Sequence, residues 1–186
     1  MNHDAHNHHP CLRAAAIEDD GSCDVDALLA DVAGRLRSAG HRVRGLLMTY
    51  PEGRDSCACA MVLMDLDTGQ TYPVSQPLGE GSQACRADVQ GFARASEVLR
   101  RALHEGPDLV ISNRFGGLEA GGGGFRDELL ALMAQDMPLL TAVASRYRSA
   151  WAEFTGGAAV LPPQVGAVQD WLQRTLGVPS MAAADA

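Results

Sequence analysis

Short apolar runs alternate along this chain with stretches whose apolar residues recur at helical spacing, and this alternation restricts the fold more than any other feature. The runs are Leu12–Ile17, Arg42–Thr49, Asp108–Ser112 and Pro138–Ala144. Between and after them, helical spacing connects Val25, Leu28, Leu29, Val32 and Leu36; then Val89, Phe92, Leu99 and Leu103; then Phe125, Leu129, Leu132 and Met133. Tyr147, Trp151 and Phe154 share a further helical face, and Val165, Val168, Trp171, Leu172 and Leu176 line a last one. Near-continuous apolar strands separated by amphipathic helices need cover on both faces, which predicts βαβ units, a mostly parallel sheet and helices on either side. Two segments, Cys59–Asp65 and Gln70–Ser75, flank Asp67-Thr68-Gly69 and predict an inserted β-hairpin. Ala158–Leu161 is expected to add a short final strand.

In such a sheet, ligands bind beyond the carboxyl ends of the strands. The expected loops there are Glu18–Asp24, Asn113–Gly124 and Ala144–Arg148. Around this domain, expected over residues 12–177, residues 1–11 read as a flexible His-rich tail and residues 178–186 as a frayed end. The tail holds four of the six histidines, and with Cys11 it has the composition of a weak metal-binding tract or of a plain solvated tail.

The 15 basic residues are outnumbered by 23 acidic ones, for a net charge of −8. This predicts no nucleic-acid partner, because a polyanion needs a basic face. No apolar run is long enough to span a bilayer, and no charged segment leads into one at the start of the chain, so no membrane insertion and a cytoplasmic location are expected. Every fixed cation is an arginine; the chain has no lysine. Chemistry that requires a lysine is therefore excluded. Five cysteines, an odd number, predict free thiols or metal ligands rather than a disulfide framework.

Several strings carry a resemblance: Asp20-Gly21 followed by DALLADVAGRLRSAG, then VSQPLGEGSQACRAD, DLVISNRFGGLEAGGGGFRDEL, MPLLTAVA and EFTGGAAVLPP. From Arg13 to about Leu172 the chain resembles a bacterial family of unknown function, related to small nucleoside-triphosphatases and often encoded beside molybdenum transport genes. The resemblance implies a three-layer α/β fold like that of P-loop nucleoside-triphosphatases. It also implies a link to molybdate handling or nucleotide binding, with molybdenum transport or cofactor proteins as partners.

Against that pattern the first loop is altered. A working P-loop wraps the phosphates in glycine-rich backbone, puts a Lys on the β/γ-phosphates and a Ser or Thr on Mg²⁺. Here Asp20, Gly21 and Ser22 are the remnant of such a loop, followed almost at once by a helix. Glu18, Asp19, Asp20, Asp24 and Asp26 crowd the helix N-terminus, where they repel an anion unless Mg²⁺ bridges them to it. As caps facing the helix dipole, Asp24 and Asp26 are also explained without any ligand. The strand that should end in an acid for Mg²⁺ ends in Ser112-Asn113 instead. Glu119, further on, is either a water-orienting acid or a solvated loop residue. Hydrolysis by the usual P-loop mechanism is therefore not expected.

Two other groups of residues are candidates. Ser75, Gln76, Ser82, Arg86, Asn113, Arg114, Glu119 and Arg126 surround two glycine-rich loops. Backbone N–H groups and arginine forks suit a small anionic ligand such as molybdate, phosphate or a nucleotide phosphate; glycine turns with arginines paired to surplus acids are the alternative. Cys57, Cys59 and Cys85 form a candidate thiophilic-metal site, since residues two apart on a strand share a side. Cys85, beside Arg86, is the thiol expected to be reactive. The leading expectation is a non-hydrolysing binding or accessory protein for an oxyanion or nucleotide. A divergent Mg²⁺-dependent triphosphatase and a thiol–metal protein are the alternatives.

Overall fold

The computed structural model describes residues 12–50, 61–77 and 85–178, without the side chains of Gln76, Pro77, Cys85 and Arg86. Strand β1 (Ala14–Asp19) is followed by helix α1 (Val25–Ser38) and β2 (Val43–Thr49); β3 (Val62–Asp65) and β4 (Thr71–Pro73) come next. Then come β5 (Ser75–Pro77), β6 (Cys85–Ala87), α2 (Val89–Glu105) and β7 (Leu109–Ile111). The chain continues through α3 (Gly117–Ala120), α4 (Arg126–Ala134), β8 (Leu139–Ala144), α5 (Arg148–Thr155), β9 (Ala159–Leu161) and α6 (Val165–Leu176).

Seven strands form one sheet in the order β4-β3-β2-β7-β8-β1-β9. The five strands from β2 to β9 are parallel, and β3 and β4 extend the β2 edge as an antiparallel hairpin. The expected mostly parallel α/β sheet with an inserted hairpin is thus the observed one. Two further short strands, β5 and β6, pair as a separate antiparallel ribbon; the sequence reading, which placed a glycine-rich loop there, did not announce it.

Burial explains the three layers. On one face Leu29, Val32 and Leu36 of α1 pack with Val168, Trp171 and Leu172 of α6 against Ala15, Ile17, Leu109 and Ile111. On the other, Val98 and Leu99 of α2, Leu129 and Leu132 of α4 and Trp151 of α5 cover Ala14, Ala16, Val110 and Val143. Successive strand residues point to opposite faces, so Leu109, Val110 and Ile111 divide between the two cores while all are fully buried. The run of alanines in β1 leaves room for helices on both sides. Phe115 stacks against Trp151 and Phe154 at centroid distances of 5.4 and 5.1 Å, a cluster that closes the second core near the carboxyl edge.

Two residues expected to face inward do not. Val89 is 79% exposed and Val165 47% exposed. Each is the first residue of its helix, where the axis has not yet come down onto the sheet and the stripe of buried residues has not begun. The glycine-rich segment from Gly116 to Gly124 also differs from a plain loop: it contains the one-turn helix α3, which glycine disfavours and which a side chain described below holds in place.

At the hairpin end of the sheet, Asp65 is buried. It accepts hydrogen bonds from the Asp67 N–H (2.9 Å), the Thr68 hydroxyl (2.8 Å) and Arg101 (2.6 Å). Burial pushes its pKa up, but these donors and the Arg101 charge outweigh it and hold the carboxyl below its ordinary value. A depressed folded-state pKa adds stability above the unfolded value of about 3.9 and loses it as pH falls through the folded value. Asp65→Asn is expected to cost about 1–2 kcal/mol at pH 7. In urea titrations the gap between variant and wild type should close as pH falls below about 4; a gap independent of pH would remove this account.

Candidate functional site

Strands β1 and β8 are neighbours whose following helices go to opposite faces: α1 to one core and α5 to the other. Such a switch leaves a crevice beyond the strand ends, the usual ligand position in sheets of this type. The loops meeting there follow β1, β7 and β8, as the sequence predicts. All three are tied together by charge.

The central cation is Arg114, just after β7. One arm of its guanidinium is bonded to the Asp19 carboxylate at the end of β1, and the other donates to Asp26 Oδ1 at 3.0 Å. Asp26 lies in the first turn of α1 and is only 7% exposed. It also accepts the Tyr50 hydroxyl at 2.8 Å, so the residue following β2 joins the same network. Partial burial pulls the Arg114 pKa down; the Asp19 hydrogen bond and the charges of Asp26 and Asp19 push it up further, and the net shift is upward. Arg114 is a fixed cation at any working pH.

A second tie links the ends of the two neighbouring strands. Glu18 accepts the Ser145 hydroxyl at 2.9 Å and Arg148 at 3.1 Å, joining the end of β1 to the turn after β8. Asn113, standing where a strand-end acid was expected, is 6% exposed. Its Oδ1 accepts the Met48 N–H at 3.0 Å, locking the end of β7 to β2. Beside it the Ser112 hydroxyl is fully buried without a hydrogen-bond partner.

The short loop between β1 and α1 is organised by its own carboxylates. Asp24 caps α1, accepting the Ala27 N–H at 2.9 Å, as the capping reading expected. Asp26 does more than face the helix dipole, because it is also an ion-pair partner. Asp20 accepts the Ser22 N–H at 2.9 Å; the Ser22 hydroxyl first, and then this N–H, hold its carboxyl below the ordinary value, and Gly21 has φ +80°. Asp20, Gly21 and Ser22 are exposed and face solvent. Cys23 is exposed too; local desolvation, then Asp20, Asp24 and Asp19, push its thiol up, away from the reactive thiolate form.

Glu119 and Arg126 form a different group. Glu119 is 4% exposed, which rules out a solvated loop residue. Its carboxylate accepts the Gly116 N–H at 2.9 Å and the Phe125 N–H at 3.1 Å, pinning both ends of the glycine loop and holding α3. Arg126 donates to the Glu119 carbonyl at 3.3 Å and lies 4.8 Å over the Phe154 ring. Ser75 accepts the Met61 N–H at 2.8 Å, in the hairpin region. Gln76 and Arg86 pair in the β5–β6 ladder, but their side chains are not among those described. Ser82, Cys57 and Cys59, the Cys85 side chain, the His-rich tail and residues 179–186 lie outside the described part. Among the described residues no group of three or more His, Cys, Asp and Glu side chains could hold a metal ion.

The structure therefore brings Asn113 and Arg114 to the edge where Asp20, Gly21 and Ser22 lie, and gives Glu119 and Arg126 to the glycine loop. Sequence reasoning missed Tyr50, Glu18 with Ser145 and Arg148, and the pairing of Asp26. The available signal was topological: Tyr50 directly follows β2, which runs parallel to β7, so it must emerge at the same edge as Asp19 and Arg114.

Known proteins give this arrangement its place. A "Solution Structure of a Human Cancer-Related Nucleoside Triphosphatase" superposes with a TM-score of 0.57 at 17% identity, covering 80% of this chain and 87% of that one. The fold is thus of the P-loop nucleoside-triphosphatase type. The "Molybdenum import ATP-binding protein ModC 2" of Bradyrhizobium diazoefficiens is 41% identical over 145 residues, which are 78% of this chain and 16% of that protein. This chain therefore spans only about a sixth of the relative's length. Among the described residues no helix is long and apolar enough to cross a membrane. A family model matches residues 14–171, and the chain belongs to that family, described as "Protein of unknown function (DUF2478)".

Proposed function

We propose that this chain is a binding or accessory domain that takes a small oxyanion or a nucleotide phosphate at the carboxyl edge of its sheet without hydrolysing it. The observation that carries this reading is the Arg114 fork: a partly buried cation at the switch-point edge, engaged by Asp19 and Asp26. A guanidinium offers two parallel donors that match a carboxylate, a phosphate or a tetrahedral metal oxyanion equally well. An anion that takes the fork does so in competition with those two carboxylates.

The proposed lack of turnover rests on two other features. No lysine is present to neutralise charge on transferring phosphate. The acid expected at the end of β7 is replaced by Asn113, whose amide oxygen is committed to Met48. The molybdenum-transport name of the relative supports molybdate as the oxyanion to try first. It also supports a cytoplasmic place beside molybdenum transport or cofactor proteins, with residues 12–177 as the working domain.

A thermal-shift panel of molybdate, tungstate, phosphate and ATP with Mg²⁺ tests the reading. Molybdate or ATP should raise the melting temperature of the wild type by several degrees, with about 2–3 kcal/mol expected at a hundredfold excess over Kd, and should leave Arg114→Ala unmoved. No shift with any of these ligands would overturn it.

A further inference from the structure

At the amino-terminal edge of the sheet, the starts of β1 and β9 and the last turn of α6 leave an open cavity of about 1140 Å³. The length of β1 separates it from the Arg114 crevice: six residues at about 3.3 Å each make about 20 Å. Arg13 and Arg174 both line the cavity, and no Asp or Glu is among the described residues around it. This is unusual in a chain whose acids outnumber its bases 23 to 15. Arg13 donates to the Thr175 carbonyl at 3.0 Å and to the Asp136 carbonyl at 3.4 Å. Those bonds fix its guanidinium, leave most of its N–H donors unused, and bring no carboxylate to neutralise it. Arg174 has no hydrogen-bond or ion-pair partner among the described residues. Both cations complement the carboxyl end of the α6 dipole, but that dipole amounts to about half a charge, and two guanidiniums exceed it. The rest of the wall is apolar or bare. Leu12, 37% exposed, and the Trp171 side chain line it, and no atom lies within 4 Å of where a Cβ on Gly156 or Gly157 would be.

We propose that this cavity is a second ligand site, which takes an organic anion: a phosphate or carboxylate head on Arg13 and Arg174, and an apolar body along Leu12 and Trp171. Guanidinium forks match either head. A bare oxyanion would leave most of the space empty, whereas cavities of about 300–1,000 Å³ take organic molecules of drug size. The site owes nothing to the reading of Arg114 and is tested separately from it.

Isothermal titration with 1-naphthyl phosphate and 2-naphthoate, against inorganic phosphate and 1-naphthol, tests head and body together and apart. At least one of the two organic anions should bind the wild type about tenfold tighter than either control. Arg174→Ala, a change at an exposed position, should weaken that binding about tenfold or more, the worth of a charge-assisted hydrogen bond. Arg114→Ala should leave it unchanged. Binding lost in Arg114→Ala and kept in Arg174→Ala would place the ligand at the other edge and overturn this proposal while leaving the Arg114 reading intact. Inorganic phosphate binding as tightly as the organic anions in Arg114→Ala would overturn it too, by removing any role for the apolar wall. So would no binding of either organic anion to the wild type, a result that leaves the Arg114 site to be judged by molybdate and ATP.

Discussion

Alanine at position 45 will destabilise the protein by about 3–5 kcal/mol, from left-handed backbone strain together with overpacking. Gly45 lies within β2 opposite Ile111 of β7, at φ +122°. That conformation is open to glycine and costly for any residue with a Cβ. Space is missing as well: a Cβ built there would overlap the carbonyl oxygen of Ile111. Relief by backbone movement would pull β2 from β7 in the middle of the sheet. The Gly45 carbonyl also accepts the Leu66 N–H at 3.0 Å, so the hairpin beyond would lose its anchor. A urea midpoint shift at unchanged slope measures the loss. A loss below about 1 kcal/mol, the ordinary cost of a point substitution, would mean that β2 tolerates a side chain here.

The second large effect concerns Arg114. Arg114→Ala leaves Asp19 and Asp26 facing each other at a partly buried edge with their shared counter-charge gone. Removing one member of a fully buried ion pair costs about 3–5 kcal/mol because the other charge is stranded. Here the side chains of Arg114 and Asp19 keep 30% and 26% of their surface exposed, so water screens part of the loss and about 2 kcal/mol is expected. Adding Asp26→Asn to Arg114→Ala should recover part of it, since one of the two unpaired charges is then neutral. Equilibrium unfolding of the single and double variants reads both effects. A single variant as stable as wild type within about 0.5 kcal/mol would show that the network is an ornament of the surface.

These two residues also show what the sequence could and could not reveal. The apolar runs at Asp108–Ser112 and Pro138–Ala144 specify buried parallel strands because no other element hides such runs on both sides. The layers, the hairpin and the loops at the carboxyl edge follow from that reasoning. Gly45 is different: nothing in RVRGLLMT separates a strand glycine kept for its φ from one kept by chance, because the constraint is the carbonyl of a residue 66 positions later.

The site was legible in part for the same reason. Arg114 and Asn113 were expected at the edge because they directly follow β7. Their partners are set by strand order, which places β7 two positions from β1 and so brings Arg114 to Asp19 and Asp26. Glu119 looked like a loop acid because the glycines around it carry no pattern. Only the folded loop shows two backbone N–H groups converging on its carboxylate. Its close neighbour Gly124, at φ +59°, leaves no room for a side chain beside that carboxylate, so the loop's glycines belong at least partly to packing.

Anion binding without turnover is proposed for an edge of a nucleoside-triphosphatase fold. The decisive experiment assays phosphate release from ATP with Mg²⁺ in the sample whose melting temperature the same ligand raises. A shift is expected with no phosphate released above the protein-free rate. Steady release by the wild type that disappears in Asp20→Ala would contradict it, by showing that the short acidic first loop works as a hydrolytic site.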